Sequence, residues 1–141
     1  CYTGSLKALN DLNISLKFKR CIGTSVGSMC AFLMAIRPTN DEIDKYMDKM
    51  VEKILKLDNN PMTEAYNAFN YYGIHNNECI QEAIESIEKD KFGKNNLTFK
   101  DLYDLTNFEL TIVGSCLSTR QVHYFNHIND PDMLVSLAVK I

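Results

Sequence analysis

The spacing of hydrophobic positions along this chain changes more than once, and the changes mark its elements. Leu6, Leu9 and the Ala8/Leu12 pair share one face of a first helix over residues 4–12. A short run from Phe18 to Ile22, stopped by Gly23, predicts a strand. From Val26 to Ile36 nearly every side chain is apolar or small, as in a helix buried on most sides, and Pro38 closes it. Thr39-Asn40-Asp41-Glu42 reads as a capping box, in which the Thr hydroxyl and the Glu carboxylate each satisfy an unpaired backbone N–H. Behind it Ile43, Met47, Met50, Ile54 and Leu57 recur at three- and four-residue steps. They predict an amphipathic helix from Asn40 to Leu57 whose Met and Tyr side chains serve core packing. Its polar face mixes Lys with Asp and Glu, which suits solvent better than an anionic membrane.

Asn59-Asn60-Pro61 predicts a turn and Thr63 to Phe69 a short helix leading to Tyr71-Tyr72-Gly73. Ile80, Ala83, Ile84 and Ile87 predict another helix from Asn77 to just before Gly93, and Thr98-Phe99-Lys100-Asp101 opens one more through Leu105. The period then drops to two. Phe108, Leu110, Ile112, Gly114 and Cys116 alternate with Glu109, Thr111, Val113 and Ser115, a strand apolar enough to lie within a sheet. Ser118-Thr119-Arg120 is turn-like, and Val122 to Asn126 predicts a hairpin partner. Asp130-Pro131 predicts a last helix, with Asp as cap, Pro at the first helical position, and Met133, Leu134, Leu137, Ala138 and Ile141 as its apolar face. Helix, strand, several helices, strand, strand, helix is an α/β order, with a parallel pair joined by a long helical crossover.

Composition narrows what such a chain can do. Its 141 residues suit one domain that buries roughly 68–70% of its unfolded surface, and no repeat or Gly/Ser linker divides it. Fifteen Lys+Arg against 18 Asp+Glu give a net charge of −3, which argues against nucleic-acid binding through a general basic field. The longest apolar run, Met29 to Ile36, is far short of the roughly 20 residues of a transmembrane helix. Five scattered cysteines without a C-x-x-C pair suggest neither a disulfide framework nor a zinc site. Reduced, mostly buried thiols in a cytosolic protein are the expectation, with no metal and no cofactor. The chain opens on Cys1 without a charged-then-apolar leader, as a processed protein or a fragment would.

Gly23-Thr24-Ser25-Val26-Gly27 carries the chemistry, as a match to the G-x-S-x-G nucleophile elbow between a strand and an apolar helix. A serine hydroxyl reacts only when it stands clear of the backbone. A sharp strand-to-helix turn achieves this by straining the serine, and close approach of strand and helix asks for glycine two positions before and two after. The helix that follows aims unpaired N–H groups and its positive dipole end at the reacting carbonyl, with the Val26 N–H as the oxyanion donor. The other reading of the same residues is a tight turn in which Ser25 caps the helix.

Residues 18–29, Phe18-Lys19-Arg20-Cys21-Ile22-Gly23-Thr24-Ser25-Val26-Gly27-Ser28-Met29, resemble the elbow of patatin-like phospholipases, which favour G-T-S-x-G-S/A. Tyr2 to Leu9 is similar to that family's first helix, Leu110 to Thr119 to its later central strand and turn, and Val122 to Asn126 with Pro131 to Ile141 to the strand and helix that follow. The resemblance runs nearly end to end and is weakest over residues 58–95. It implies a three-layer α/β/α core with a mainly parallel sheet, covering residues 1–141 as a partial domain truncated at both ends. It also implies a serine acyl hydrolase with a Ser–Asp dyad, acting on fatty-acyl esters of phospholipids or related lipids at a membrane or micelle surface. The expected location is cytoplasmic or peripheral to a membrane, without a transmembrane segment or a nucleic-acid partner.

Two parts of the family pattern have no counterpart here. The glycine-rich oxyanion loop would precede Cys1, and the family's Asp-Gly motif does not occur in the chain. Asp101, Asp104, Asp130 and Asp132 are therefore expected to be helix-start residues rather than the base, and these residues alone are expected to be inactive. Two alternatives stand beside this reading. Ser25, then Asp101 or Asp104, then His123 or His127 follows the chain order of a Ser-His-Asp esterase, with His75 a further histidine. A catalytically silent binding module on the same fold is the other.

Overall fold

The computed structural model describes residues 2–55, 78–116 and 118–140. Leu57, the turn at 59–61, the helix expected over 63–69 and His75 lie outside the described residues. The elements in chain order are α1 (Tyr2–Asp11), a single 3₁₀ turn (Ser15–Lys17), β1 (Arg20–Gly23), α2 (Val26–Ile36), α3 (Asn40–Leu55), α4 (Glu78–Phe92), α5 (Phe99–Thr106), β2 (Glu109–Cys116), β3 (Gln121–Phe125) and α6 (Val135–Lys140). The strands form one sheet in the order β1-β2-β3. β1 and β2 are parallel, with Gly23 opposite Ile112, while β2 and β3 form the antiparallel hairpin that the alternating pattern predicts.

Alternation along β2 decides which face the helices cover. Phe108, Leu110 and Ile112 are buried, whereas Thr111 and Val113 on the opposite face are only half-buried. α2 packs on β1 and β2, α5 and α6 reach β2, and α4 packs against α3 and α6. As its composition predicts, α2 is buried on most sides, from Ser28 through Leu33 and again at Ala35 and Ile36. The other face of the sheet presents Ile22, Val122 and Tyr124, each half exposed or more.

Helix ends follow the sequence closely where the cap is local. Thr39 N–H donates to Glu42 Oε2 (2.8 Å) and Glu42 N–H donates to Thr39 Oγ1 (3.3 Å), which is the expected capping box. Thr98 and Asp101 form a second box at the start of α5. α2 ends at Arg37, held in the left-handed region at φ 50°, just before Pro38. Along α3 the buried stripe is Ile43, Tyr46 and Met50, with Met47 at its edge. Its lysines are less solvent-directed than expected: Lys45 and Lys53 pair with Asp90 and Glu82, and Lys49 donates to Ser86, all on α4.

The C-terminal helix corrects the sequence reading. It starts at Val135, not at Pro131. The chain before it is tied to the segment that leads into α5: Phe99 N–H donates to the Met133 carbonyl (3.0 Å), Lys100 N–H to that of Pro131 (3.1 Å), and Val135 N–H to that of Leu97 (2.9 Å). Those tertiary bonds hold residues 131–134 out of the helix despite the favourable Asp-Pro start. The buried face accordingly is Val135, Ala138 and Val139 with Ser136, rather than Met133, Leu134 and Leu137.

Candidate active site

β1 delivers Ser25 to the carboxyl edge of the sheet, and two neighbours fix the turn. A Cβ on Gly23 would overlap the Gly27 carbonyl and come within 2.7 Å of Ser28 Cα, so strand and helix meet where only glycine fits. At Gly27, by contrast, a Cβ would find open space. The expectation of a steric need for glycine at both positions thus holds at Gly23 alone, because it is the backbone of Gly27, not the space beside its Cα, that approaches the strand.

Ser25 has φ 52° and ψ −131°, a conformation that L-residues rarely adopt. Its hydroxyl makes no cap bond to α2, and the residue is exposed. The capping role that these residues also allowed is therefore not the one the hydroxyl plays. Surrounding bonds hold the strained turn. Gly27 N–H donates to the Thr24 carbonyl (2.9 Å), and Ser28 N–H donates to that of Ser25 (2.8 Å). The buried Ser28 hydroxyl donates to the same Ser25 carbonyl (2.5 Å). Thr24 Oγ1 donates to the Val113 carbonyl of β2 (3.2 Å), bracing the turn against the neighbouring strand. Sequence reasoning placed Thr24 in the elbow motif and Ser28 just after it, but gave neither this bracing role. The only signal for them lies in the G-T-S-x-G-S form of the motif.

The Gly27 and Ser28 N–H groups are already engaged. The Val26 N–H, at the first helical position, has no acceptor within its own helix and sits where the positive end of α2's dipole is strongest. This geometry can place a free hydroxyl and a hydrogen-bond donor on the same side of a carbonyl group.

The other candidates are dispersed. Asp101 belongs to the α5 cap: the Thr98 N–H beside it, with Lys94 adding to the effect, holds its carboxyl below the usual range. Asp104 is exposed on α5. Asp130, expected to start a helix, instead lies 2.8 Å from His123 Nε2. His127 stacks on Tyr103 with ring centroids 3.9 Å apart. Among the described hydrogen bonds, neither Asp101 nor Asp104 reaches an imidazole, so the carboxylate–histidine set suggested by chain order is not assembled. Among the described residues no three His, Cys, Asp or Glu side chains form a metal cage, and no helix is long and apolar enough to cross a membrane.

The thiols also differ from expectation. Cys30 is buried and Cys21 half-buried, and burial raises both, whereas Cys116 at the end of β2 is exposed.

The family model for patatin-like phospholipases matches residues 1–141. The chain is 30% identical over 139 residues to the uncharacterized protein R571 of Acanthamoeba polyphaga mimivirus, covering 98% of its own length and 45% of that protein. Among solved structures it is similar to ExoU of Pseudomonas aeruginosa in complex with SpcU, with a TM-score of 0.68 at 16% identity over 99% of this chain and 34% of that one. A second structure, of the type III effector protein ExoU, gives a TM-score of 0.67 at 16% identity over 99% and 36%. The chain spans less than half the length of each of these proteins.

Proposed function

The chain belongs to the patatin-like phospholipase family, and from that premise we propose that Ser25 is the nucleophile of a lipid acyl hydrolase acting on fatty-acyl esters of phospholipids or related lipids. The family supports a lipid hydrolase. The observation that carries the finer reading is Ser25 itself, strained at φ 52° with its hydroxyl free of the helix it precedes. Strain of about 1–3 kcal/mol at one residue persists only where the surroundings impose it, and it clusters at reacting groups.

In this mechanism a carboxylate takes the Ser25 proton as Oγ attacks the ester carbonyl. The oxyanion is held by the Val26 N–H and the N-terminal end of α2, and the alcohol leaves with a proton. Water then attacks the acyl-enzyme, and the fatty acid and the free serine are restored. The base is an aspartate supplied by a part of the full-length protein outside these residues, as is a glycine-rich loop with further oxyanion donors. The substrate is met at a membrane or micelle surface.

Labelling the full-length protein with a fluorophosphonate tests this. Wild type is expected to label and Ser25→Ala not to label, and equal labelling of both overturns the assignment. His123→Ala and His127→Ala are each expected to retain turnover. Loss of turnover in either, with folding intact, favours a Ser-His-Asp esterase.

A further inference from the structure

Charge is spread unevenly along the chain. Residues 12–40 hold Lys17, Lys19, Arg20 and Arg37 but no Asp or Glu, although the net charge of the whole is −3. Three of those bases alternate with large apolar side chains in Leu16-Lys17-Phe18-Lys19-Arg20, which leads from α1 into β1. Leu12, Leu16 and Phe18 are 66%, 59% and 38% exposed, and Lys17, Lys19 and Arg20 are exposed beside them. The backbone of this link is tied down from within. Ile14 N–H donates to the Leu9 carbonyl and Lys17 N–H to that of Ile14, both at 2.9 Å. From the end of α2 the Arg37 guanidinium donates to the carbonyls of Phe18 (3.3 Å) and Leu16 (3.5 Å). Next to Leu16, a groove lined also by Leu6, Leu9, Met34 and Ile43 continues the apolar surface. Two acids border the segment, and both are engaged: Glu109 pairs with Arg20 (3.3 Å), and Asp11 accepts from the Asn40 side chain (2.6 Å). Neither Lys17 nor Lys19 has a carboxylate partner among the described residues, unlike Lys45 and Lys53 of α3.

We propose that residues 12–20 form a docking surface for an anionic phospholipid bilayer. Leu12, Leu16 and Phe18 enter the boundary between headgroups and acyl chains, and Lys17, Lys19 and Arg20 meet the lipid phosphates. Apolar side chains set between bases suit a surface that is hydrocarbon at one depth and charged at the next. A purely electrostatic partner would not call for exposed Leu and Phe, and a purely apolar one would leave the two lysines without counter-charges. The choice of a lipid surface rests on the lipid-directed reading of Ser25. β1, four residues and about 13 Å long, runs from this surface to the elbow. Docking and chemistry thus occupy opposite ends of one strand, and the patch holds the protein at the bilayer without touching the reacting atoms.

The test is co-sedimentation of the full-length protein with phosphatidylcholine vesicles, with and without about 30% phosphatidylserine. All proteins carry Ser25→Ala, so that the vesicles stay intact. Each base near an anionic bilayer strengthens binding about fivefold. Lys17→Glu with Lys19→Glu is therefore expected to weaken binding to the anionic vesicles at least about thirtyfold. Leu16→Ser with Phe18→Ser is expected to weaken it at least about tenfold. Lys89→Glu with Lys100→Glu makes the same change in net charge at exposed lysines elsewhere and is expected to weaken it less than about threefold. Binding that the Lys17/Lys19 pair leaves unchanged, or weakens no more than the Lys89/Lys100 pair does, overturns the proposal. So does equal binding of the parent to neutral and anionic vesicles, or an unaltered affinity in the Leu16/Phe18 variant. Because the readout is binding by a protein without the Ser25 hydroxyl, a failed Ser25 assignment would leave this result untouched.

Discussion

Ser25 and Thr98 occupy the same place, the residue before the first turn of a helix, and use the same functional group in opposite ways. Thr98 sits in ordinary extended backbone at φ −78°, accepts from the Asp101 N–H, and receives the Asp101 carboxylate on its own N–H. Ser25 sits at φ 52°, gives its hydroxyl to no helical N–H, and leaves the Val26 N–H without a partner in its helix. Where Asp101 stands three residues past Thr98, Ser28 stands three residues past Ser25, and its hydroxyl goes to the Ser25 carbonyl rather than to the Ser25 N–H. A hydroxyl spent on a cap stabilises a helix. A hydroxyl held off the cap by a strained turn is available for chemistry.

The largest effect expected from breaking this contrast is on turnover. Ser25→Ala in the full-length protein should lower kcat for ester hydrolysis at least about a thousandfold, with stability changed by no more than about 0.5 kcal/mol. Thr98→Ala should do the reverse, costing about 1 kcal/mol in denaturant unfolding with turnover kept. If the two variants behaved alike, the contrast would be lost.

Next comes the steric half of the elbow. Gly23→Ala forces a Cβ into the Gly27 carbonyl and should destabilise the fold by about 3 kcal/mol or more, measured as a drop in the urea midpoint.

A comparable effect, seen only at the higher end of the pH range, belongs to the chain leading into the Thr98 cap. Glu88 is fully buried, with its Oε2 accepting from the Leu97 N–H (3.2 Å). Burial foremost, with Glu85 adding to it, pushes its carboxyl up to about 7 despite the bonds from Leu97 and Asn96. Between the ordinary value of 4.5 and about 7 the folded state holds the extra proton. Glu88 therefore costs nothing below that window and up to about 3 kcal/mol above it. Glu88→Gln should flatten the loss of stability between pH 5 and 8 in urea titrations. A wild-type profile level across that range would show that the burial penalty is not felt.

The smallest effect is at the second glycine of the motif. Gly27→Ala adds a Cβ in open space within the first turn of α2 and should leave stability unchanged or raise it by up to about 1 kcal/mol. Destabilisation matching that of Gly23→Ala would mean that the helix approaches the strand more closely than the two glycines now indicate.

Much of this was legible because it is local. The Thr39 and Thr98 boxes link residues three apart, so four letters of sequence specify them. The stripe along α3 and the alternation along β2 follow from one helix face and one sheet face being buried. Misreadings came where a distant backbone competed. Asp130-Pro131 is a sound helix start, but hydrogen bonds to Leu97, Phe99 and Lys100 claim the chain through residue 135, and Asp130 turns to His123. Cys116 closes an apolar alternation and so reads as buried, but β2 runs past the end of β1 and leaves it exposed.

The sequence by itself determined the order of the described elements, the position of the strand-to-helix turn, and the residues proposed to react there. Those follow from periodicity and from a glycine–serine spacing that few turns accept. The tertiary structure decided how the reactive groups are used. Thr24 is tied to Val113, 89 residues away, and the Gly23 strand lies against the Gly27 backbone. Through those contacts the Ser25 hydroxyl is kept off the helix. The exposure of Cys116 and the turning of Asp130 to His123 likewise depend on where neighbouring strands end and on distant backbone bonds, which no local pattern of residues encodes.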